Sequence, residues 1–308
     1  MAYVGIDLGS NSLRAVKMDK DLNVLCEYEN TVRSAQDLEK SGEICKSALN
    51  RILDSLNAMK EVLQINSDDE VIALTTAAMR KAKNNKEILK EISQKTGIDF
   101  CIIDGEKEAF ITSLAPKIAI KKLANKNLKY KKECFVLVDM GGGSSEFIFC
   151  KNEKIFSHSF EIGIVSAKER YKSLENLKKD KENIKQEILD FVKEAGNLGF
   201  KADFLVANSG TPTTICAFKL GLQKYNSKAV FGMELSDSDF KEQLKWYLAL
   251  NDKEKTEILG EFKADVVPFG VELFLIFMEA LGFSECVVVD EGIREGAVIA
   301  RIRGYDLL

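Results

Sequence analysis

Residues 7–12 read Asp-Leu-Gly-Ser-Asn-Ser, and residues 139–144 read Asp-Met-Gly-Gly-Gly-Ser. Each stretch closes an apolar run, Tyr3–Leu8 in the first case and Cys134–Met140 in the second. Each then opens into a run of alternating apolar and polar residues, Ser12–Met18 and 144–150, followed by a third candidate strand, 23–32 and 154–162. Period-two alternation marks a half-buried strand, and the glycines between the runs mark tight turns. A single D-x-G-[SG]-x-S could arise by chance. Two in the same strand–turn–strand setting read as one structural unit used twice.

Outward from these turns, apolar residues at 44, 48, 49, 52, 53, 56, 59, 62 and 63 follow the 3.6-residue period and predict a helix over 44–63. A buried strand is expected at 71–74, a helix at 86–96 stopped by Gly97, a strand at 100–103 and a helix at 106–123. In the second half helices are expected over 181–196, 211–220, 237–250, 267–281 and 293–303, with strands at 204–207 and 287–289. Strands alternating with helices argue an α/β fold. A chain of 308 residues is long enough for two domains. The lysine-rich stretch 117–132 reads as their junction, which gives domains over 1–125 and 126–308.

Composition narrows the function. The chain is 45% hydrophobic and 30% charged, with net charge −4, an ordinary globular balance that argues against a nucleic-acid binder held by bulk charge. No apolar run is long enough to span a bilayer, and the N-terminus lacks the basic and apolar regions of a secretory leader, so a cytoplasmic protein without membrane attachment is expected. The 7 cysteines form no C-x-x-C pair and read as reduced thiols, mostly buried. The single histidine, His158, leaves no basis for a Ser-His-Asp triad or a multi-histidine metal site.

A glycine-rich turn lets the backbone approach a ligand and aim several N–H groups at it, which suits a phosphate. Gly141, Gly142 and Gly143 supply such a turn, and Ser10, Asn11, Ser12, Ser144 and Ser145 add hydroxyl or amide donors. An aspartate beside each turn, Asp7 and Asp139, is unfriendly to an anion unless a divalent cation stands between them, Mg2+ being the expected hard cation. The alternative is that each aspartate bonds its own turn. Strand, turn and strand bring Glu146 back to the mouth that holds Asp139. Attack on a phosphate held in such a turn needs an activated water and charge neutralisation; without a Ser-His or Cys-His pair, a carboxylate base with a metal is the economical solution. Glu106, Glu108 and Glu146 are candidates, although Glu106 and Glu108 also suit the first turn of a helix. Arg80, in a small-residue stretch after a strand, suits bidentate phosphate binding or an ordinary surface position.

The paired units resemble the actin-like superfamily, and the finer pattern resembles the exopolyphosphatase / guanosine pentaphosphate phosphatase (Ppx/GppA) family. The resemblance rests on GIDLGSNS (5–12), TTAAMRKAKN (75–84), IIDGEKEA (102–109), VDMGGGSSE (138–146), EIGIVSAKERY (161–171), SGTPTT (209–214), ADVVPFG (264–270) and DEGIREG (290–296). It departs from the family pattern at Lys107 and Glu291, and it resembles the short, two-domain form. It implies two actin-like (ribonuclease H-like) domains whose glycine turns face one cleft. It also implies that Glu108 is the base, that Asp139 binds Mg2+ with Glu146 holding the metal or the attacking water, and that Arg80 binds phosphate. Gly210 and Thr211 sit where related ATPases hold a nucleoside, or they cap a helix; Arg294 and Glu295 read as a structural pair. The implied substrate is inorganic polyphosphate or guanosine pentaphosphate, and a homodimer is expected. A kinase of the same superfold and a non-catalytic alarmone or polyphosphate sensor are the competing readings.

Overall fold

The computed structural model of the chain describes residues 1–306. Its first stretch runs β1 (Tyr3–Leu8), β2 (Ser12–Met18), β3 (Val24–Thr31), α1 (Leu38–Ser41), α2 (Lys46–Leu63), β4 (Glu70–Thr75), α3 (Ala77–Lys81), α4 (Asn85–Thr96), β5 (Phe100–Ile102) and α5 (Gly105–Ala124). After a 3-10 turn at Leu128–Tyr130 come β6 (Cys134–Met140), β7 (Ser145–Lys151), β8 (Lys154–Phe160), α6 (Ile164–Tyr171), α7 (Leu174–Lys179), α8 (Lys181–Asn197), β9 (Leu205–Asn208), α9 (Gly210–Lys219) and α10 (Ser227–Val230). The chain ends through β10 (Glu234–Ser236), α11 (Asp237–Ala249), α12 (Asp252–Leu259), α13 (Glu261–Ala264), α14 (Val267–Leu281), β11 (Glu285–Val288) and α15 (Ile293–Ile302).

Two mixed sheets result. The first has strand order β3-β2-β1-β4-β5, an antiparallel meander of β1–β3 extended by β4 and β5, which run parallel to β1. The second has order β10-β11-β9-β6-β7-β8, again a meander, β6–β8, extended by the parallel strand β9. This repeated meander with parallel additions is the expected actin-like, ribonuclease H-like α/β plan. Each meander follows from the alternation that the sequence carries, and β6 reads as continuously apolar because both of its faces are covered: its first five residues are buried.

The chain divides into a unit made of residues 1–115 and 291–308 and a unit made of residues 116–290. The sequence-based division at 125/126 differs, because it leaves the last helix with the second half. The structure returns α15 to the first sheet, where it packs on β1, β2 and β4. Gly5 is the reason it can come so close: a Cβ there would stand 2.0 Å from the Arg294 carbonyl oxygen. Arg294 is buried and pairs with the buried Glu295 at 2.6 Å and with the exposed Glu27 at 2.7 Å, contacts that suit a structural role.

In the first unit α2 turns Ala48, Leu49, Ile52, Leu56, Met59 and Leu63 onto β2 and β3. In the second unit α14 is apolar almost all round and is buried among α6, α7, α8, α9 and α11. All seven cysteines are free thiols; Cys134, Cys150, Cys216 and Cys286 are buried, and Cys26, Cys45 and Cys101 are half-buried. Among the described residues no helix is long and apolar enough to cross a membrane.

Candidate functional site

In the second unit the turn 141–144 is seated from behind. The carbonyl of Gly141 accepts the N–H of Ile164 (3.0 Å), and that of Gly142 accepts the N–H groups of Val165 (2.8 Å) and Ser166 (3.1 Å). The carbonyl of Gly143 accepts the Ser166 hydroxyl (3.3 Å). The peptide bonds are trans, so each N–H points opposite its own carbonyl. The N–H groups of Gly142, Gly143 and Ser144 therefore face away from α6 as one row, the kind of amide arrangement that suits an anion. Gly163 permits this seating: a Cβ there would lie 2.5 Å from the Gly141 oxygen and 2.6 Å from the Gly142 carbonyl carbon.

The first unit repeats the device with different parts. Gly9 N–H donates to Ser12 O at 3.0 Å, as Gly141 N–H does to Ser144 O at 2.9 Å. The carbonyls of Gly9, Ser10 and Asn11 are all taken by the segment 32–35. Ser34 Oγ donates to Gly9 (2.5 Å), Ala35 N–H to Ser10 (2.9 Å), and Val32 and Arg33 N–H to Asn11 (2.9 and 2.8 Å). By the same trans geometry the N–H groups of Ser10, Asn11 and Ser12 face the other way. Asn11 Oδ1 is buried with no hydrogen-bond partner, a polar atom that a ligand would satisfy. Among the expected donors Ser145 stands apart. Its one hydroxyl proton goes to the Ile162 carbonyl at 2.6 Å, so it braces the turn.

The register separates the two aspartates. Asp139 lies between Asn208 of β9 and Glu146 of β7, and Glu146 lies beside Ser159 of β8. Glu146 is 2% exposed and accepts the Ser159 hydroxyl at 2.7 Å. Two carboxylates directly opposite on neighbouring strands repel, and burial magnifies the cost. Asp7 instead lies opposite Arg14, which is 3.4 Å from Glu29 on β3. The two backbones are alike, but one row pairs two carboxylates and the other alternates in sign.

Among the described residues no group of three or more His, Cys, Asp and Glu side chains is arranged to hold a metal. Mg2+ is ordinarily held by one or two carboxylates completed by phosphate oxygens and water. The cross-strand pair Asp139 and Glu146 beside an amide nest fits that pattern, and the Asp7 row, with Arg14 in it, fits it less well.

Arg80 and Glu108, from two separate motifs, meet in the first unit. Arg80 Nη1 donates to Glu108 Oε2 at 2.5 Å and to the Ile103 carbonyl at 2.8 Å. Glu108 is 6% exposed, whereas Glu106 on the same helical turn is exposed. Asp104 starts α5 by accepting the N–H of Lys107 on its side chain and that of Glu108 on its backbone carbonyl. The motif residue Asn84 has a structural task, exchanging two bonds of 3.0 Å with the backbone of Ile44. Gly210 begins α9, and Thr213 and Thr214 hydroxyls bond carbonyls of that first turn. Sequence reasoning missed Gly163, Ser166, Ser159 and Ser34. Gly163 and Ser166 lay inside a quoted motif, EIGIVSAKERY, whose glycine was the available signal.

Comparison with known proteins places the fold in a family. Residues 14–303 match the Ppx/GppA phosphatase family. A bifunctional 3-dehydroquinate synthase/phosphatase of Fusobacterium nucleatum is 24% identical over 96% of this chain and 46% of its own length. A guanosine-5'-triphosphate,3'-diphosphate pyrophosphatase of Vibrio vulnificus is 26% identical over 96% of this chain and 58% of its own. The chain thus spans about half the length of these curated relatives. The crystal structure of an exopolyphosphatase from Cytophaga hutchinsonii superposes with TM-score 0.81 at 22% identity, covering 100% of this chain and 99% of that one.

Proposed function

The chain belongs to the Ppx/GppA phosphatase family, and on that premise we propose that it hydrolyses the terminal phosphoanhydride of inorganic polyphosphate or guanosine pentaphosphate. The observation that carries the proposal is the turn 141–144, its amide row turned outward beside the cross-strand carboxylates Asp139 and Glu146. The row N–H groups and the side chains of Ser10, Asn11, Ser12 and Ser144 would hold phosphoryl oxygens. Glu108 would accept the proton of the attacking water, and Arg80 would hold its carboxylate in place while offering charge toward the substrate. Asp139 and Glu146, with Asp7 a weaker candidate, would hold Mg2+, which when bound neutralises charge on the phosphoryl group.

Hydrolysis is favoured because Glu108 is a buried carboxylate, 6% exposed, whose position is fixed by Arg80 and which can accept a proton from water. Phosphate release from polyphosphates of several lengths, from guanosine pentaphosphate and from ATP, with and without Mg2+, is the test. Release from the first two with Mg2+ supports the reading. Transfer to an added acceptor supports a kinase, and binding without release supports a sensor.

A further inference from the structure

One basic side chain outside every recognised motif is bonded to the segment that seats the first turn. Arg51, on α2, donates from Nε to the Val32 carbonyl at 2.8 Å and from Nη2 to the Arg33 carbonyl at 3.3 Å and to Gln36 Oε1 at 2.8 Å. The segment it grips is conformationally costly at Arg33, where φ is +50°, in the left-handed region that a residue with a Cβ rarely adopts.

The bonds are continuous. Arg51 Nε–H meets the Val32 carbonyl; the other end of that peptide is the Arg33 N–H, which meets the Asn11 carbonyl at 2.8 Å. The other end of the Asn11 peptide is the Ser12 N–H, one of the outward row. Two peptide groups thus stand in line between a fixed positive charge and an amide aimed at an anion. Hydrogen bonds in such a chain polarise one another, and a charged donor at the head strengthens those behind it.

We infer that Arg51 is a positioning residue for the first phosphate-binding turn: it holds the strap 32–36 in its left-handed bend and polarises the Ser12 N–H toward substrate phosphate. The inference rests on the proposed function for the identity of the ligand. It does not rest on it for the geometry.

The experiment pairs kinetics on a polyphosphate substrate with pyrophosphate titration followed through backbone amide resonances. Arg51→Met removes charge and fork. It is expected to raise KM and the pyrophosphate Kd about tenfold while kcat changes less than about threefold, since the groups that do chemistry are untouched. The Ser12 amide should shift less on titration than in the native protein, with the remaining spectrum preserved. Arg51→Lys keeps the charge and the stem but loses the planar fork, and it should recover part of the loss. If Arg51→Met does not fold, Arg51→Lys decides alone, with a KM and Kd raised about threefold. Native KM, Kd and Ser12 response in the variants that fold overturn the inference. If the native protein binds pyrophosphate through Ser12 but releases no phosphate from any substrate, the proposed activity fails while the role of Arg51 is still read from the titration.

Discussion

Arg80 Nη1 lies 2.5 Å from Glu108 Oε2, an ion pair in which the carboxylate is buried and the guanidinium also holds the Ile103 carbonyl. Of the two neighbouring acids on α5, Glu108 is buried in this pair and Glu106 is exposed. Glu108→Gln keeps the size of the side chain and removes the proton acceptor. We expect kcat to fall by about 10²–10⁴-fold with KM little changed, and Glu106→Gln, at an exposed position, to be nearly silent. Comparable turnover of Glu108→Gln and the native enzyme in a phosphate-release assay would remove Glu108 from the role of base.

Asp139 and Glu146 face each other across β6 and β7, whereas Asp7 faces Arg14. If a divalent cation relieves the first pair, Asp139→Asn should raise the Mg2+ concentration needed for half-maximal activity by at least about tenfold. Asp7→Asn should raise it much less. Equal effects of the two substitutions, or full activity in excess chelator, would show that the difference between the rows carries no function.

Acid should weaken the second unit in a traceable way. Asp180 accepts the Tyr171 hydroxyl at 2.6 Å and the Asn183 amide at 2.5 Å, and these bonds hold its carboxyl below the ordinary value of 3.8. A carboxyl with a lowered folded pKa stabilises the fold above its unfolded value, and that contribution is lost as pH falls through the folded one. We expect the melting temperature to drop between about pH 5 and about pH 3, and to drop less in Asp180→Asn. Calorimetric scans at both pH values decide it, and an equal drop in the variant would discount Asp180.

Much of the plan was legible because each part had a local signature. The meanders announce themselves by alternation, α2 by its 3.6-residue stripe, and the two turns by glycine after a strand. Glu108 and Arg80 stood in motifs, though nothing in sequence spacing brings them within 2.5 Å. What escaped depends on tertiary contact. The strap 32–36 has no periodicity, and Arg51 looks like any polar residue on the outer face of a helix. The return of α15 to β1 is written only in the small size of Gly5, which a sequence does not distinguish from a turn glycine. The contrast between Asp139 and Asp7 was within reach: Arg14 and Glu146 stand the same distance past their turns, so hairpin pairing alone puts an arginine opposite one aspartate and a glutamate opposite the other.

Gly163 gives the sharpest test of whether the seating of the turn, rather than its glycines alone, makes the site. A methyl group at Gly163 meets backbone, the Gly141 oxygen at 2.5 Å and the Gly142 carbonyl carbon at 2.6 Å, so no side-chain rotation relieves it. The turn must move off the N-terminus of α6 by roughly an ångström, and a displacement of that size at a reacting centre can cost about 10²-fold in rate. We expect Gly163→Ala to lower kcat/KM by about that factor and to cost about 1–3 kcal/mol of stability through overpacking. Gly196→Ala on α8, where nothing lies within 4 Å of the added methyl, should leave activity unchanged and stabilise the fold by about 0.5–1 kcal/mol. Phosphate-release kinetics and thermal melting of both variants separate loss of the seat from general loss of fold. A Gly163→Ala enzyme with native kcat/KM would mean that the amide row does not depend on α6 and that the seating of the turn does not set phosphate binding.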